Sequence, residues 1–198
     1  AMKVDMVCTE CGMKHPGNFS GWRCPCGGPL DVAFEACFVL KEMRKRPAGL
    51  WRYREALPIA PDTAPVSLGE AMTPLVPVNI EGIQVLAKLE FLFPTGSYKD
   101  RGATVMLTQM KEMGVKEAVE DSSGNAAAAI SAYSARAGIR CHIYVPEGTS
   151  PGKLYQIESY GAMVNQIPGG RQATAEAAMA AAENMYYASH YWNPFFTQ

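Results

Sequence analysis

The stretch that decides the fold is Pro94-Thr95-Gly96-Ser97-Tyr98-Lys99-Asp100-Arg101-Gly102. Its proline and glycine predict a turn, and a helical pattern begins directly afterwards. Ser97 is the predicted N-cap of that helix, and Asp100 is the predicted acid of a capping box. Lys99 therefore falls in the first helical turn, where the positive end of the helix dipole disfavours a cation. This position favours the neutral amine that a lysine needs to attack a carbonyl. The alternative interpretation is that Lys99 is an ordinary surface lysine.

The sequence after this stretch alternates between helical and strand patterns. The predicted helices cover 98–113, 125–137, 151–160 and 171–184, and the predicted strands lie near 115–120, at 139–145 and at 162–167. A single glycine separates each of the first three helices from the next strand, as is typical after a helix C-terminus. The pattern predicts an α/β fold with a mostly parallel sheet in three layers. In such folds, ligands bind beyond the carboxyl ends of the strands, and Lys99 lies in a turn of that kind.

The sequence as a whole predicts three regions. Residues 1–35 form a predicted zinc ribbon, residues 36–65 a helical linker region, and residues 66–198 the α/β region. Within 36–57 the pattern favours helices that end before prolines, and 58–66 is a proline-rich connector. Two strands are predicted at 73–78 and 83–89, at the start of the α/β region.

Four cysteines near the N-terminus form a candidate metal site: Cys8, Cys11, Cys24 and Cys26. A CxxC pair and a second cysteine pair, each near glycine, are typical of a zinc ribbon, with disulfides or iron as the alternatives. Four thiolates leave no open coordination position, so we expect a structural Zn²⁺. His15 could replace one cysteine, but a solvated loop histidine is the favoured interpretation. Cys37 and Cys141 stand apart and are interpreted as small buried hydrophobic residues.

Composition excludes several classes of partner. The net charge is −1 and the pI is about 6.4, so no overall field attracts nucleic acid or an anionic membrane. No apolar run approaches the ~20 residues that a membrane span needs, and no secretory signal pattern is present. The cysteine usage favours a reducing, cytoplasmic compartment.

A second motif, Asp121-Ser122-Ser123-Gly124-Asn125, joins a predicted strand to the helix at 125–137. Small residues at a helix N-terminus allow backbone N–H groups to approach an anion closely. The short span and the hydroxyl groups suit a carboxylate at least as well as a phosphate. The alternative is that Ser123 or Asn125 only caps the helix.

The two motifs together resemble the fold-type-II pyridoxal-phosphate enzymes, whose fold is similar to that of the tryptophan synthase β subunit. They read PTGSYKDRG and SSGNAAAAISAYSARAG in this chain. The cysteine ribbon and the upstream segments LWRYREALP and SLGEAMTPL resemble the threonine synthase branch. The similarity covers the chain from about residue 8 onward.

The resemblance implies roles for six residues. Lys99 would carry pyridoxal 5′-phosphate as a Schiff base and would later move protons on the substrate. Asn125 would hydrogen-bond the phenolic oxygen of the cofactor. The residues that would line the substrate site are Ser122, Ser123, Gly124 and Ala126.

The resemblance also implies a lyase that converts O-phosphohomoserine to threonine and phosphate, with a small amino-acid substrate and a homodimeric full-length protein. Phe93 and Ala126 stand where the branch commonly has polar side chains, so we retain β-elimination or β-replacement, as in serine/threonine dehydratases or cysteate synthase, as an alternative. A zinc-ribbon binding module without catalysis is the second alternative.

The family members are longer than this chain. We therefore expect an N-terminal portion that includes most of the smaller mobile domain, with the cofactor-phosphate loop beyond residue 198. Such a portion alone is expected to be inactive and to bind pyridoxal phosphate weakly or not at all.

Overall fold

The computed structural model describes residues 4–197, which form nine strands and six α-helices. The strands are β1 (Asp5–Cys8), β2 (Lys14–Pro16), β3 (Leu30–Ala33), β4 (Leu75–Ile80), β5 (Ile83–Lys88), β6 (Glu117–Glu120), β7 (Arg140–Pro146), β8 (Met163–Ile167) and β9 (Tyr186–Tyr187). The helices are α1 (Leu40–Met43), α2 (Lys99–Glu112), α3 (Asn125–Ala137), α4 (Pro151–Ser159), α5 (Gly170–Ala181) and α6 (Pro194–Thr197). Two 3₁₀ helices cover Leu50–Ala56 and Glu90–Leu92.

The central sheet contains β6 to β9 in the order β8-β7-β6-β9, and every neighbouring pair is parallel. The chain moves outward from β6 through β7 to β8 and then returns past β6 to form β9. Since parallel crossovers are right-handed, α3 and α4 lie on one face of the sheet and α5 on the other. This arrangement confirms the predicted α/β fold. The strand order reverses between β6 and β9, so a crevice opens there at the carboxyl ends of the strands.

The helix ends follow the predicted glycine pattern. Gly114, Gly138 and Gly161 have φ angles of +74°, +73° and +82°, which residues with a side chain adopt only at a cost. At the end of α3, the N–H groups of Gly138 and Ile139 donate to the carbonyls of Ala135 and Ser134. These contacts satisfy the last carbonyls of the helix and turn the chain into β7.

The N-terminal sheet is antiparallel, in the order β2-β1-β3, and shares a hydrophobic core with the α/β region. Met6 and Val32 belong to the same buried cluster as Met106 and Ile130. The amide of Gln109 in α2 also donates to the Gly17 carbonyl, at 2.9 Å. The cysteine-bearing segment is therefore packed onto the scaffold.

The prediction of helices over 36–57 is confirmed in part. Only α1, four residues long, and the 3₁₀ helix Leu50–Ala56 are helical. Phe38, Val39 and Leu40 are exposed, so no apolar face is buried that could stabilise a longer helix. The segment is instead held by Arg46, which forms a two-pronged ion pair with Glu55.

Strands β4 and β5 form a separate antiparallel hairpin, close to the predicted positions. Its turn contains Glu81 and Gly82, both with positive φ. Between residues 4 and 197, none of the helices has the length and apolar character needed to cross a bilayer.

Candidate active site

Lys99 is the first residue of α2, and topology places it at the carboxyl edge of the central sheet. A short connection at 113–116 joins α2 to β6, so the helix runs antiparallel to that strand. The N-terminus of α2 therefore lies near the carboxyl end of β6, where the 121–125 motif begins. The prediction that Lys99 follows a strand of the parallel sheet is wrong, because α2 is preceded by the 3₁₀ helix Glu90–Leu92 and by the separate hairpin of β4 and β5.

The start of α2 differs from the predicted capping box. Tyr98 is the N-cap, and the Ser97 hydroxyl accepts a hydrogen bond from the Lys99 N–H at 3.2 Å. Asp100 is buried and accepts from the Thr95 N–H at 2.9 Å and from the Thr95 hydroxyl. The carboxylate thus fixes the preceding turn, because Thr95 offers two donors. Burial raises the pKa of Asp100, although the Thr95 donors act in the opposite direction.

Two aromatic rings flank the Lys99 amine. Its Nζ lies 5.0 Å from the ring centre of Tyr98 and 5.5 Å from that of Phe196 in α6. Gly102 permits this proximity, because a Cβ there would collide with the carbonyl oxygen of Phe196. Lys99 itself is half-buried. The amine is therefore accessible but lies against an apolar wall.

The neighbouring residue Arg101 supports the turn from the other side. Its guanidinium binds the Glu90 carboxylate at 2.8 and 2.9 Å, and this lowers the pKa of Glu90 to about 2. Glu90 also accepts a hydrogen bond from the Thr73 hydroxyl at 2.6 Å. Arg101 therefore fixes the turn before α2 through Glu90.

The second motif forms a loop between β6 and α3. Gly124 is the N-cap, and neither Ser123 nor Asn125 caps the helix through its side chain. Ser122 accepts from the Gly124 N–H at 3.2 Å, and Asn125 is exposed. A Cβ on Gly124 would meet no heavy atom within 4 Å, so the space in front of the loop is open.

This loop lines a cleft of about 160 Å³ between the ends of β6 and β9. The six lining residues are Ser122, Ser123, Gly124, Arg171, His190 and Tyr191. Two of these residues were not predicted from the sequence: Arg171, at the start of the predicted helix 171–184, and His190. Their positions after β8 and β9 were the available signal.

Two buried carboxylates bind Arg171 and His190, on the side away from the cleft opening. Asp121 accepts from Arg171 Nη2 at 2.6 Å and from the Tyr187 hydroxyl at 2.8 Å. Glu120 is fully buried, and its Oε1 bonds His190 Nδ1. Burial raises the pKa of Glu120.

Comparison with known proteins decides the family. Residues 66–198 match the family described as pyridoxal-phosphate dependent enzyme. The chain belongs to this family. The resemblance predicted from the two motifs is therefore confirmed.

The curated relatives include several threonine synthases. The chain is 38% identical to that of Methanocaldococcus jannaschii over 200 residues, which cover 95% of this chain and 49% of the relative. It is 43% identical to that of Halalkalibacterium halodurans over 125 residues, 61% of this chain and 35% of the relative. The chain thus spans half or less of the length of these relatives.

Solved structures of pyridoxal-phosphate enzymes share the fold. O-ureido-L-serine synthase has a TM-score of 0.58 at 27% identity, covering 63% of this chain and 43% of that one. A pyridoxal 5′-phosphate-dependent aspartate racemase has a TM-score of 0.58 at 28% identity, with 63% and 42% covered.

In this family member, the four N-terminal cysteines converge. Their sulfur atoms all lie within 4.8 Å of one another, with Cys8–Cys26 at 3.5 Å and Cys11–Cys24 at 3.7 Å. These separations exceed the ~2.05 Å of a disulfide, and all four thiols are free. Gly28 lies tightly beneath the cluster, because a Cβ there would be 2.8 Å from Cys8 Sγ.

The remaining histidine and cysteine predictions need two corrections. His15 is buried in β2 rather than solvated: it stacks on Phe19, and its Nε2 lies 3.4 Å from Cys24 Sγ. Cys37 is exposed, not buried, because it lies in the open segment before α1. Cys141 is buried as predicted, and burial raises the pKa of its thiol to about 12.

Proposed function

We propose that the protein is a pyridoxal-phosphate-dependent lyase similar to threonine synthase, acting on O-phosphohomoserine to give threonine and phosphate. The proposal is supported by the position of the Phe196 ring, which lies 5.5 Å from Lys99 Nζ and 6.1 Å from the ring of His190, a residue that lines one cleft with Ser122, Ser123 and Gly124. The similarity to the threonine synthase of Methanocaldococcus jannaschii along 95% of the chain supports the choice of reaction.

The groups at this site fit the cofactor chemically. Lys99 supplies a primary amine for the aldehyde of pyridoxal phosphate, and Asn125 supplies an exposed amide at the start of α3. When bound, this cofactor serves as an electron sink that stabilises negative charge on the substrate carbon. Tyr98 and Phe196 shield one side of the Lys99 amine from water.

The substrate is proposed to bind in front of the loop. Ser122, Ser123 and Gly124 present hydroxyl groups and backbone N–H groups to a carboxylate, as helix N-termini do for anions. Ala126 is buried behind them and leaves room for the substrate. After binding, the Lys99 amine is the group available to take and return protons at the substrate carbons.

An assay of phosphate release from O-phosphohomoserine by the full-length protein tests the reaction. Lys99→Ala should lower the rate by at least about 10³-fold, because both attachment and proton transfer are lost. Lys111→Ala, at the other end of the same helix, is the control and should leave the rate unchanged. Equal activity of the Lys99 and Lys111 variants would refute the proposed role.

β-Elimination or β-replacement on another amino acid is the second candidate. Phe93 and Ala126 are both buried and apolar, so neither offers a hydrogen bond to a phosphate group. Ammonia release from serine or threonine, without phosphate release from O-phosphohomoserine, would favour this candidate.

We also propose that the four cysteines bind a structural Zn²⁺ and that 1–35, 36–65 and 66–198 are the functional divisions of the chain. Free thiols at these separations match the donor set of a closed tetrahedral site. Elemental analysis should find one zinc per chain, lost in Cys24→Ser and kept in Cys37→Ser. Absence of zinc from protein purified without chelator would count against the site.

A further inference from the structure

His15 lies beside the cysteine cluster but has no role in the proposed function. It is the central residue of β2, and the pairing with β1 sets it opposite Met6. Its neighbours Lys14 and Pro16 are exposed, whereas His15 is only 8% exposed. The imidazole therefore extends from β2 into the buried region that also contains the sulfur of Cys24.

We propose that His15 is a positioning residue of the metal site, whose Nε2–H group donates a hydrogen bond to the Cys24 thiolate and thereby strengthens zinc binding. The inference rests on the proposed zinc site and adds to it a residue other than the four ligands. It concerns the cysteine ribbon alone and is independent of the chemistry at Lys99.

The positions of the sulfur atoms make His15 a partner of a ligand and not a ligand. In a tetrahedral site with four thiolates, Zn–S bonds of about 2.3 Å place the sulfur atoms about 3.8 Å apart. The observed separations are 3.4 Å for Cys11–Cys26, 3.5 Å for Cys8–Cys26 and 3.7 Å for Cys11–Cys24. The four sulfur atoms are thus already arranged for one zinc ion, and the coordination is complete without a nitrogen.

The contact between His15 and Cys24 has the geometry of a hydrogen bond to sulfur. The Nε2 atom lies 3.4 Å from Sγ, and both side chains are buried. With zinc bound, Cys24 is a thiolate, which can only accept a hydrogen bond. Nε2 must then carry the hydrogen, and a neutral imidazole has one N–H group to supply it.

A donor is needed at Cys24 because this sulfur is both charged and buried. One Zn²⁺ ion neutralises only half of the charge of four thiolates, so the site remains negative. Cys11 and Cys26 are exposed, and water can solvate their sulfur atoms, whereas Cys24 is 1% exposed. A buried charge is costly unless hydrogen bonds compensate it. His15 supplies such a bond at a sulfur that solvent does not reach.

Phe19 and Gly21 hold the imidazole in this orientation. The rings of His15 and Phe19 are stacked, with 4.4 Å between their centres and 26° between their planes. A Cβ on Gly21 would lie 2.5 Å from the Phe19 ring, so glycine at this position lets the ring reach the stack. Because the imidazole is already fixed, little side-chain entropy is lost when it bonds to the thiolate.

Four variants separate the hydrogen bond from packing. His15→Leu removes the donor and keeps an apolar side chain in the buried position. His15→Gln keeps an N–H group that can reach the sulfur, whereas His15→Asn is equally polar but one bond shorter. Lys14→Ala, at the exposed neighbouring position of β2, is the control.

The experiment is a competition for zinc between the full-length protein and a chromophoric chelator. We expect His15→Leu and His15→Asn to bind zinc about 10-fold more weakly than the unmodified protein, as is typical when a hydrogen-bonding partner of a metal ligand is lost. His15→Gln should stay within about 3-fold, because the donor is retained. Lys14→Ala should stay within about 2-fold, as an exposed side chain without a contact to the cluster. Zinc X-ray absorption should show four sulfur ligands in every protein.

Three results would overturn the inference. Equal zinc affinity of His15→Leu and the unmodified protein would do so while leaving the zinc site intact, and equal affinity of His15→Asn and His15→Gln would do so even where His15→Leu does not fold. A nitrogen ligand in the X-ray absorption spectrum, lost in His15→Leu, would make His15 a ligand instead. Absence of zinc from the unmodified protein would refute the zinc site itself, and the role of His15 with it.

Discussion

The two ends of β6 carry the same kinds of residue in opposite settings. At the amino end, Glu117 binds Arg140 at 3.0 Å and His142 at 2.7 Å, both from the adjacent strand β7. At the carboxyl end, Asp121 binds Arg171 and Glu120 binds His190, and these two partners come from more distant parts of the chain.

The two ends differ in the burial of their carboxylates and in the surroundings of the Arg and His side chains. Glu117 is partly exposed and its partner Arg140 is largely in solvent, whereas Glu120 is fully buried. At the carboxyl end, Arg171 and His190 line a cleft together with the loop that precedes α3. The residue types in the two clusters are the same and do not indicate which cluster is functional. Their positions at opposite ends of a parallel strand do, because ligands bind beyond the carboxyl ends.

The largest expected difference is in stability. Asp121→Ala should lower the free energy of unfolding by about 2–3 kcal/mol, because the buried Tyr187 hydroxyl loses its acceptor and Arg171 loses its partner. Glu117→Ala, in an exposed cluster, should cost only about 0–1 kcal/mol. Urea unfolding measures both values, and equal losses would contradict the distinction between the two ends.

The pH dependence of stability should differ in sign at the two ends. Burial raises the pKa of Glu120 in the folded protein. As the pH rises, the unfolded chain therefore loses this proton before the folded protein does. The free energy of unfolding should fall as the pH rises from about 4.5 through the higher folded pKa. Glu120→Gln should remove that decline. Unfolding free energies of both proteins between pH 4 and pH 8, roughly, provide the measurement.

At the amino end the sign is reversed. The hydrogen bond to His142, with the charge of Arg140, lowers the pKa of Glu117, so its contribution is present above about 4.5 and is lost as the pH falls through the folded value. Glu117→Gln should flatten the acid side of the profile only. A Glu117→Gln protein that loses stability on the alkaline side would be inconsistent with this account.

A smaller effect is expected from Tyr187→Phe, which removes one buried hydrogen bond to Asp121. We expect a loss of about 1 kcal/mol in urea unfolding. Tyr155→Phe is the control, because Tyr155 is exposed on α4 and should show no measurable change. Equal effects of the two substitutions would mean that the hydroxyl of Tyr187 contributes nothing to fixing Asp121.

The smallest effect should come from Arg140→Ala, whose side chain is 69% exposed. Its contribution to unfolding free energy should be within about 0.5 kcal/mol, as for most surface ion pairs. A loss comparable to that of Asp121→Ala would show that the amino end is as strongly coupled to the fold as the carboxyl end.

The sequence correctly predicts those parts of the structure that local backbone geometry determines. Helix α3 has the predicted bounds, and the glycines at 114, 138 and 161 end helices as expected, because backbone geometry decides these positions. The helical pattern before Pro47 forms only the four-residue α1, since helical propensity without a buried face does not sustain a long helix. His15 was mispredicted because its burial depends on how β2 pairs with β1.

The cleft could be predicted only in part. Ser122, Ser123 and Gly124 form one contiguous motif, so their sequence spacing identifies them. Arg171 and His190 join them only because β9 returns to the far side of β6. That strand order depends on long-range pairing, for which no local pattern in the sequence is a guide.

The central claim is that the carboxyl edge of this sheet, at Lys99, is the reactive site. Its most direct test is incubation of the full-length protein with pyridoxal phosphate, reduction with borohydride and peptide mass mapping of the lysines. We predict that the pyridoxyl group is found on Lys99 in clear excess over Lys111 and Lys153, which lie elsewhere on α2 and α4. Labelling spread evenly over the exposed lysines, with no preference for Lys99, would contradict the account.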